Sequence, residues 1–390
     1  MKRILAYSLV LGSTALAFAC SSSSGSTTKN NDTTGPTDLG DDGGANQNPQ
    51  DDGGTPVADS GPAPGTDDPT GNPILLGTPR VVRSFTPPGG TPYFVDGPTW
   101  SNVRSQLFVA LPFAANLAGG KGILTTFKSD GTNYTELRAG DTLTTGVIGN
   151  SIDKSGNLIS AEFKSITRTM LTASGVGPVS TIATGYTTGD PDAAAATPFD
   201  TPNDLVAMDD GTIFVTDPGY EVNPRPQVGH LFKIAPGAAT ATIAASYDYN
   251  PSPNGIALTK DQGTLYVSFT APAEGTPPFI RKYTINADRT LVDMGKLVEM
   301  PVDSSPDGMT VDDNGNIYLA LKTGIAVFKS TGEPYGGAGA KVPQTLIDGG
   351  PTNVTFGGAD RKSLFVTIQN GKVLELKTKV PGLLQYATAG

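Results

Sequence analysis

The chain has one cysteine, one histidine and one tryptophan among its 390 residues. A single cysteine, Cys20, excludes an intramolecular disulfide and any cysteine cluster for zinc. A single histidine, His230 in the segment GHLFKI, excludes a histidine-rich metal site and reads as a structural or surface residue. Helical periodicity is nearly absent, and no P-loop or dinucleotide fingerprint stands between a strand and a helix. Basic residues are missing altogether between Lys29 and Arg80. Of the formal charge of −10, the nine aspartates between Asp32 and Asp68, set against Lys2, Arg3 and Lys29, leave −4 for the folded part, which excludes a nucleic-acid partner.

The longest apolar run, Ile4 to Phe18, is too short to cross a bilayer as a stable helix; preceded by Lys2 and Arg3 and followed by Ala19, it reads as an export signal at 1–19. Cys20 resembles the lipidated cysteine of bacterial lipoproteins, although leucine stands at 16 and alanine takes the usual leucine place at 17. A secretory peptide with a chance cysteine is the alternative; the following SSSSGSTT, a lipoprotein-like tether, favours lipidation. Serine at 21 resembles outer-membrane sorting. Residues 20–72 are Ser, Thr, Gly, Pro, Asn and Asp with almost nothing apolar, so they cannot bury enough surface to offset ordering entropy and read as a disordered acidic tether.

What is abundant is a repeated phrase. Ser305 to Leu321, SPDGMTVDDNGNIYLAL, has a polar entrance, an alternating apolar run, a tight turn and a second alternating run, the pattern of a β-hairpin. Copies begin near Val95, Gly149, Pro202, Pro253 and Pro351, with entrance residues Asp96, Asn150, Asn203, Asn254, Asp307 and Asn353. A strand-rich period of about 50 residues is that of a propeller blade. The spacing therefore predicts an all-β, six-bladed β-propeller over 73–390, in which six polar entrance residues converge on the channel. Arg80 to Phe85 is expected to pair with Lys372 to Lys377 and close the ring. Trp100 reads as blade core, Val380 to Gly390 as a loose tail, and the stretches Ala173–Phe199, Gly219–Gln227 and Ala271–Pro278 as insertions at the channel mouth.

Carboxylates mixed with side-chain amides suit a hard divalent cation, Ca²⁺ before Zn²⁺. The bland alternative, Asx-turns at strand starts, is weighed against it by the absence of Ser or Gly from all six entrances.

PNDL with TDP (Asn203, Asp204, Asp217), PNGIAL (Asn254), PDGM with its GNIY (Asp307), PTNVTFGG (Asn353) and the opening VDGPTW resemble the gluconolactonase and regucalcin (senescence marker protein, luciferin-regenerating enzyme-like) family from about Val95 to Leu376. The resemblance implies a six-bladed propeller with one channel metal and hydrolysis of sugar lactones. It implies Asp96, Asn254 and Asp307 as metal ligands, Asn203 on metal or substrate, and Asp307 as general base or nucleophile. Two departures stand out: Asp96 is a methylene shorter than the family's glutamate, and Phe163 occupies the place of a histidine.

The resulting reading is a monomeric envelope lipoprotein, touching membrane only through its lipid anchor, that hydrolyses a small-molecule lactone or similar ester. The alternative is a non-catalytic, metal-stabilised propeller acting as an envelope binding module.

Overall fold

Each copy of the repeat folds as the two inner strands of one antiparallel sheet, because alternation puts one row of side chains into each inter-sheet layer. The hairpin Met309–Val311 and Ile317–Leu321 shows how the turn is fixed. The buried Asp312 carboxylate accepts the N–H groups of Asn314 and Asn316, each at 2.9 Å, and is further held by Asn316 Nδ2 at 2.8 Å and the Tyr318 hydroxyl at 3.0 Å. The computed structural model describes residues 72–383 apart from 75–77, 87–89, 113–121, 141–145, 173–174, 189–195, 221, 223, 249, 272–274 and 336–343. The export signal at 1–19, Cys20 and the tether up to residue 71 lie outside the described residues.

Six sheets, antiparallel apart from one parallel pair in the third, form the blades of a β-propeller, and among the described residues there is no helix. The innermost strands, in blade order, are Asp96–Ser101, Val147–Ile152, Leu205–Ala207, Ser252–Leu258, Met309–Val311 and Pro351–Gly357. Buried apolar residues cluster between successive blades: Val206 and Leu231 meet Ile256 and Phe269 between the third and fourth, and Tyr318 and Ile325 meet Val354 and Leu364 between the fifth and sixth. Each blade is thus stabilised by its two neighbours. Trp100 belongs to such a layer, stacked on Phe365 with ring centroids 5.8 Å apart.

The ring closes where expected: Arg80–Ser84 pairs antiparallel with Lys372–Lys377, Arg80 opposite Glu375 and Ser84 opposite Lys372. The joint carries a charge cluster in which Glu375 meets Arg80 at 2.6 Å, Lys377 at 2.7 Å and the Ser363 hydroxyl at 2.5 Å.

Near the axis, neighbouring inner strands come closer than side chains would allow. Gly97 adopts φ +52°, and a Cβ there would lie 2.0 Å from Ile148 O; one on Gly255 would lie 2.3 Å from Asp307 O. Hydroxyls bridge the same seams: Thr216 Oγ1 donates to Asn254 O at 2.5 Å, Ser268 Oγ to Asp307 O at 2.8 Å and Thr352 Oγ1 to Val95 O at 2.6 Å.

Two segments differ from the expectation. Most of the described part of Ala173–Phe199 is strand: Val176–Ala183 is the outer strand of the second blade, and Gly185–Thr187 crosses to pair parallel with Ala241–Asp248 of the third. The outer edge exposes Pro178 to Thr181, so no apolar alternation marks it. The start of the C-terminal segment is tied down rather than loose. Pro381 O accepts from Asp313 N at 2.9 Å, Gly382 N donates to Arg361 O at 2.8 Å, and Leu383 N donates to Val311 O at 3.2 Å. Arg361 completes the clasp by reaching Asp313 at 2.9 Å and Gly382 O at 2.7 Å.

Gly255→Ala is expected to push the fourth and fifth inner strands apart and cost on the order of 1–3 kcal/mol, read by chemical denaturation. Burial would raise the Glu375 carboxyl, but Lys377, Ser363 and Arg80 outweigh it and hold it below its ordinary 4.5. Its folded value being depressed, its stabilisation is complete above 4.5 and is lost as pH falls through the lower folded value. Glu375→Gln should cost about 2 kcal/mol at neutral pH and flatten the acid limb of a plot of Tm against pH.

Candidate functional site

A one-residue bulge at the head of the inner strands decides where each side chain points. The register shifts between Asp96 and Thr99, between Val147 and Asn150, between Pro253 and Ile256 and between Pro351 and Asn353. The same two-against-one arrangement occurs at Asn203-Asp204, which both bond Thr216, and at Asp307-Gly308, which both bond Ala320. Bulges re-aim side chains, so the two residues of each pair serve different levels of the channel.

Four of the six entrance residues, Asp96, Asn203, Asn254 and Asp307, line one cavity of about 100 Å³ together with Phe94, Ile148, Thr201 and Tyr220. Asn150 and Asn353 do not join them. They line a second cavity of about 60 Å³, with Asp204 and residues farther along the same strands, such as Thr99, Ser151, Val206 and Val311. Asn150 is satisfied there, donating to Gly97 O at 2.8 Å and accepting from Ser160 Oγ at 2.7 Å. Asn353 Nδ2 donates to Asp204 Oδ2 at 3.3 Å. The first cavity therefore has Ile148, not Asn150, as the second blade's contribution.

Three carboxylates gather around the axis, and Asp204 is the one the sequence reading left out of the site. Burial, with Asp204 as a nearby like charge, raises Asp96; burial, then Asp96 and Asp204, raises Asp307 well above the carboxylate range. Burial pushes Asp204 to about 6 against the Leu205 N–H and the Asn353 amide. A cation among these groups would offset their mutual repulsion and their loss of hydration.

The donor set fits a hard divalent cation. Asn254 Nδ2 is committed to Thr270 Oγ1 at 3.0 Å, while Asn254 Oδ1 is buried without a hydrogen-bond partner. A buried amide oxygen left unmatched costs about 1–3 kcal/mol, and a cation would satisfy it. Asp96 Oδ1 accepts Gly97 N–H at 2.7 Å, which fixes the shorter carboxylate on the bulge. Among the described residues no three His, Cys, Asp or Glu side chains form a ready metal cluster, so any ligation here depends on the amides Asn203 and Asn254 as well as the carboxylates.

Asp217 positions rather than lines this site. Its buried carboxylate accepts Thr201 N at 2.7 Å, Asp200 N at 2.9 Å and Gly219 N at 3.2 Å, so it pins both the loop leading to Asn203 and the one carrying Tyr220. Burial pushes it to about 7 against those N–H groups, the charge of Asp200 adding to the rise. Lys164 Nζ holds the same loop through Asp200 O at 2.6 Å. Phe163 is buried outside the cavity wall, its N–H on Gly146 O at 3.1 Å. His230 also lies outside it, 5.5 Å from Tyr186 ring to ring and 3.0 Å from Ser246 Oγ.

The fold and this oxygen-lined cavity define a six-bladed propeller with a polar site at one mouth of its channel. Residues 96–370 match the SMP-30/Gluconolactonase/LRE-like region, and the chain belongs to that family. It is 28% identical over 202 residues to a gluconolactonase of Zymomonas mobilis, covering 47% of this chain and 52% of that one. It is 29% identical over 172 residues to a pentonolactonase of Haloferax volcanii, covering 43% of this chain and 53% of that one. The chain thus spans about half the length of the curated relatives it matches. Among solved structures, a gluconolactonase of Xanthomonas campestris superposes with TM-score 0.59 at 23% identity, over 83% of this chain and 98% of that one. A calcium-binding protein, regucalcin, of Agrobacterium tumefaciens superposes with TM-score 0.56 at 16% identity, over 78% and 95%.

Isothermal titration of the chelator-treated protein with Ca²⁺ is expected to show one site. Asn254→Ala should weaken it at least about tenfold and shrink the Ca²⁺-induced rise in Tm, which scales with the logarithm of ligand over Kd.

Proposed function

We propose that the chain is a metal-dependent hydrolase of a lactone or similar ester, with Asp96, Asn203, Asn254 and Asp307 at its centre. The observation that carries this reading is the unpartnered Asn254 oxygen on the same cavity as two carboxylates that burial and neighbouring like charge make costly to ionise without a cation. Asp96, Asn254, Asp307 and the amide oxygen of Asn203 would hold one divalent cation, Ca²⁺ in preference to Zn²⁺ because every donor is an oxygen. Bound there, the ion supplies Lewis-acid polarisation of the substrate carbonyl and stabilises negative charge on its oxygen.

The chain's own residues account for the rest. Asp307, in its ionised form, takes a proton from the attacking water; burial raises its proton affinity, which makes that carboxylate a stronger base than an exposed one. Asn203, its main chain fixed by the N–H on Thr216 O at 2.8 Å, orients the substrate's ring or carbonyl oxygen. Phe94, Ile148 and Tyr220 limit water around the reacting atoms. The kinship with proteins named gluconolactonase and pentonolactonase supports a lactone as the bond attacked. The leader and Cys20 support display of the propeller at the cell envelope, in the outer membrane, on a lipid anchor.

The test is hydrolysis of a lactone panel by the purified chain with and without chelator. Chelator should abolish turnover and Ca²⁺ should restore it, and Asp307→Asn should lower kcat by about 10²–10⁴ with the fold intact by circular dichroism. One equivalent of bound metal with no turnover on any lactone or ester would replace the hydrolase with a metal-stabilised binding module. Cys20→Ser should abolish incorporation of radiolabelled palmitate in cells.

A further inference from the structure

We infer that the cavity selects a lactone or ester bearing an alkyl or aryl substituent over a polyhydroxylated sugar lactone. The inference deepens the hydrolase reading and rests on it for the reacting bond and for the ion that occupies the oxygen-bearing side chains.

The walls carry it. Once the four oxygen-donating side chains Asp96, Asn203, Asn254 and Asp307 are assigned to the ion and the reacting ester, the remaining described lining is Phe94, Ile148, Thr201 and Tyr220. Two of these are wholly hydrocarbon, a third is an aromatic ring with one hydroxyl, and no Lys, Arg or His stands among the described lining residues. Ile148 is 5% exposed and directly follows Val147 at the second blade's bulge, the position that Asn254 holds after Pro253 in the fourth blade. Asn150, with its hydrogen-bonding capacity, lines the second cavity instead, and Gly97 O and Ser160 consume it.

A sugar lactone brings several hydroxyls, each of which must exchange its water partners for protein partners or be buried unmatched. Thr201 and the Tyr220 hydroxyl are too few for that task. A substituent of methylenes or an aromatic ring exchanges water for Phe94, Ile148 and the Tyr220 face, and gains about fourfold in affinity per buried methylene. The preference is thus the reverse of the one suggested by the names of the matched relatives.

The experiment compares δ-decalactone with glucono-δ-lactone as substrates, and their non-hydrolysable lactam counterparts as ligands, using the full chain loaded with Ca²⁺. Expected are a kcat/KM ratio of about tenfold or more in favour of the alkyl lactone and tighter calorimetric binding of the alkyl lactam. Phe94→Ser and Ile148→Ser should each narrow both ratios at least about threefold; the ligand comparison on the unaltered chain needs neither variant to fold. Equal or tighter binding of the sugar lactam, or binding of neither lactam, overturns the inference. Preferential binding of the alkyl lactam without turnover of either lactone sustains it while overturning the hydrolase reading.

Discussion

The structure depends on how closely six inner strands can approach one axis. At that radius there is no room for ordinary side chains between neighbouring blades. The seams are therefore made of backbone carbonyls against glycines such as Gly97 and Gly255, bridged by the hydroxyls of Thr216, Ser268 and Thr352. Farther out the gaps widen, and aromatic and branched side chains fill them in layers shared by adjacent sheets. The radial change from hydroxyl and carbonyl to hydrocarbon follows from geometry: blades diverge from an axis, so the space between them grows.

The same constraint makes the site. Bulges at the head of the first five inner strands put Asp96, Ile148, Asn203, Asn254 and Asp307 on the site cavity. Because the seam atoms are fixed by hydrogen bonds, those side chains are held on backbone that does not relax, and buried charge and unmatched oxygen persist there. Asp96, Asp307 and the Asn254 oxygen carry a cost that a cation would offset, the pattern expected where stability is given up locally for function. Outside this ring, Asp217 and Lys164 bear on the site only through the loop they hold.

Much of the architecture was legible. The repeat marked the inner hairpin of every blade because those strands are buried on both faces or alternate cleanly, and the closure of Arg80–Ser84 onto Lys372–Lys377 followed from the need to leave no open edge. Outer strands were not legible for the opposite reason: Val176–Ala183 exposes half of its residues and buries one, so selection for burial leaves no pattern. The clasp at Pro381 to Leu383 was missed because it is held by backbone bonds and by Arg361, neither of which has a local signature.

By itself the sequence determined the blade count, the ring closure, the absence of any histidine or cysteine cluster, and a supply of carboxylates and amides at the head of each repeat. Which of those side chains share a cavity was decided only by tertiary structure. In a pleated strand adjacent residues point opposite ways, and one inserted residue reverses every assignment. In register, Ile148 and Thr352 take the place of Asn254, each directly after the last paired residue before the bulge; Asn150 comes two residues later and Asn353 one, and both line the second cavity, while Ile148, Tyr220 and Phe94, which match no polar motif, line the first. Repeat spacing specifies position along the chain; the bulge, set by contact with the neighbouring blade, specifies direction.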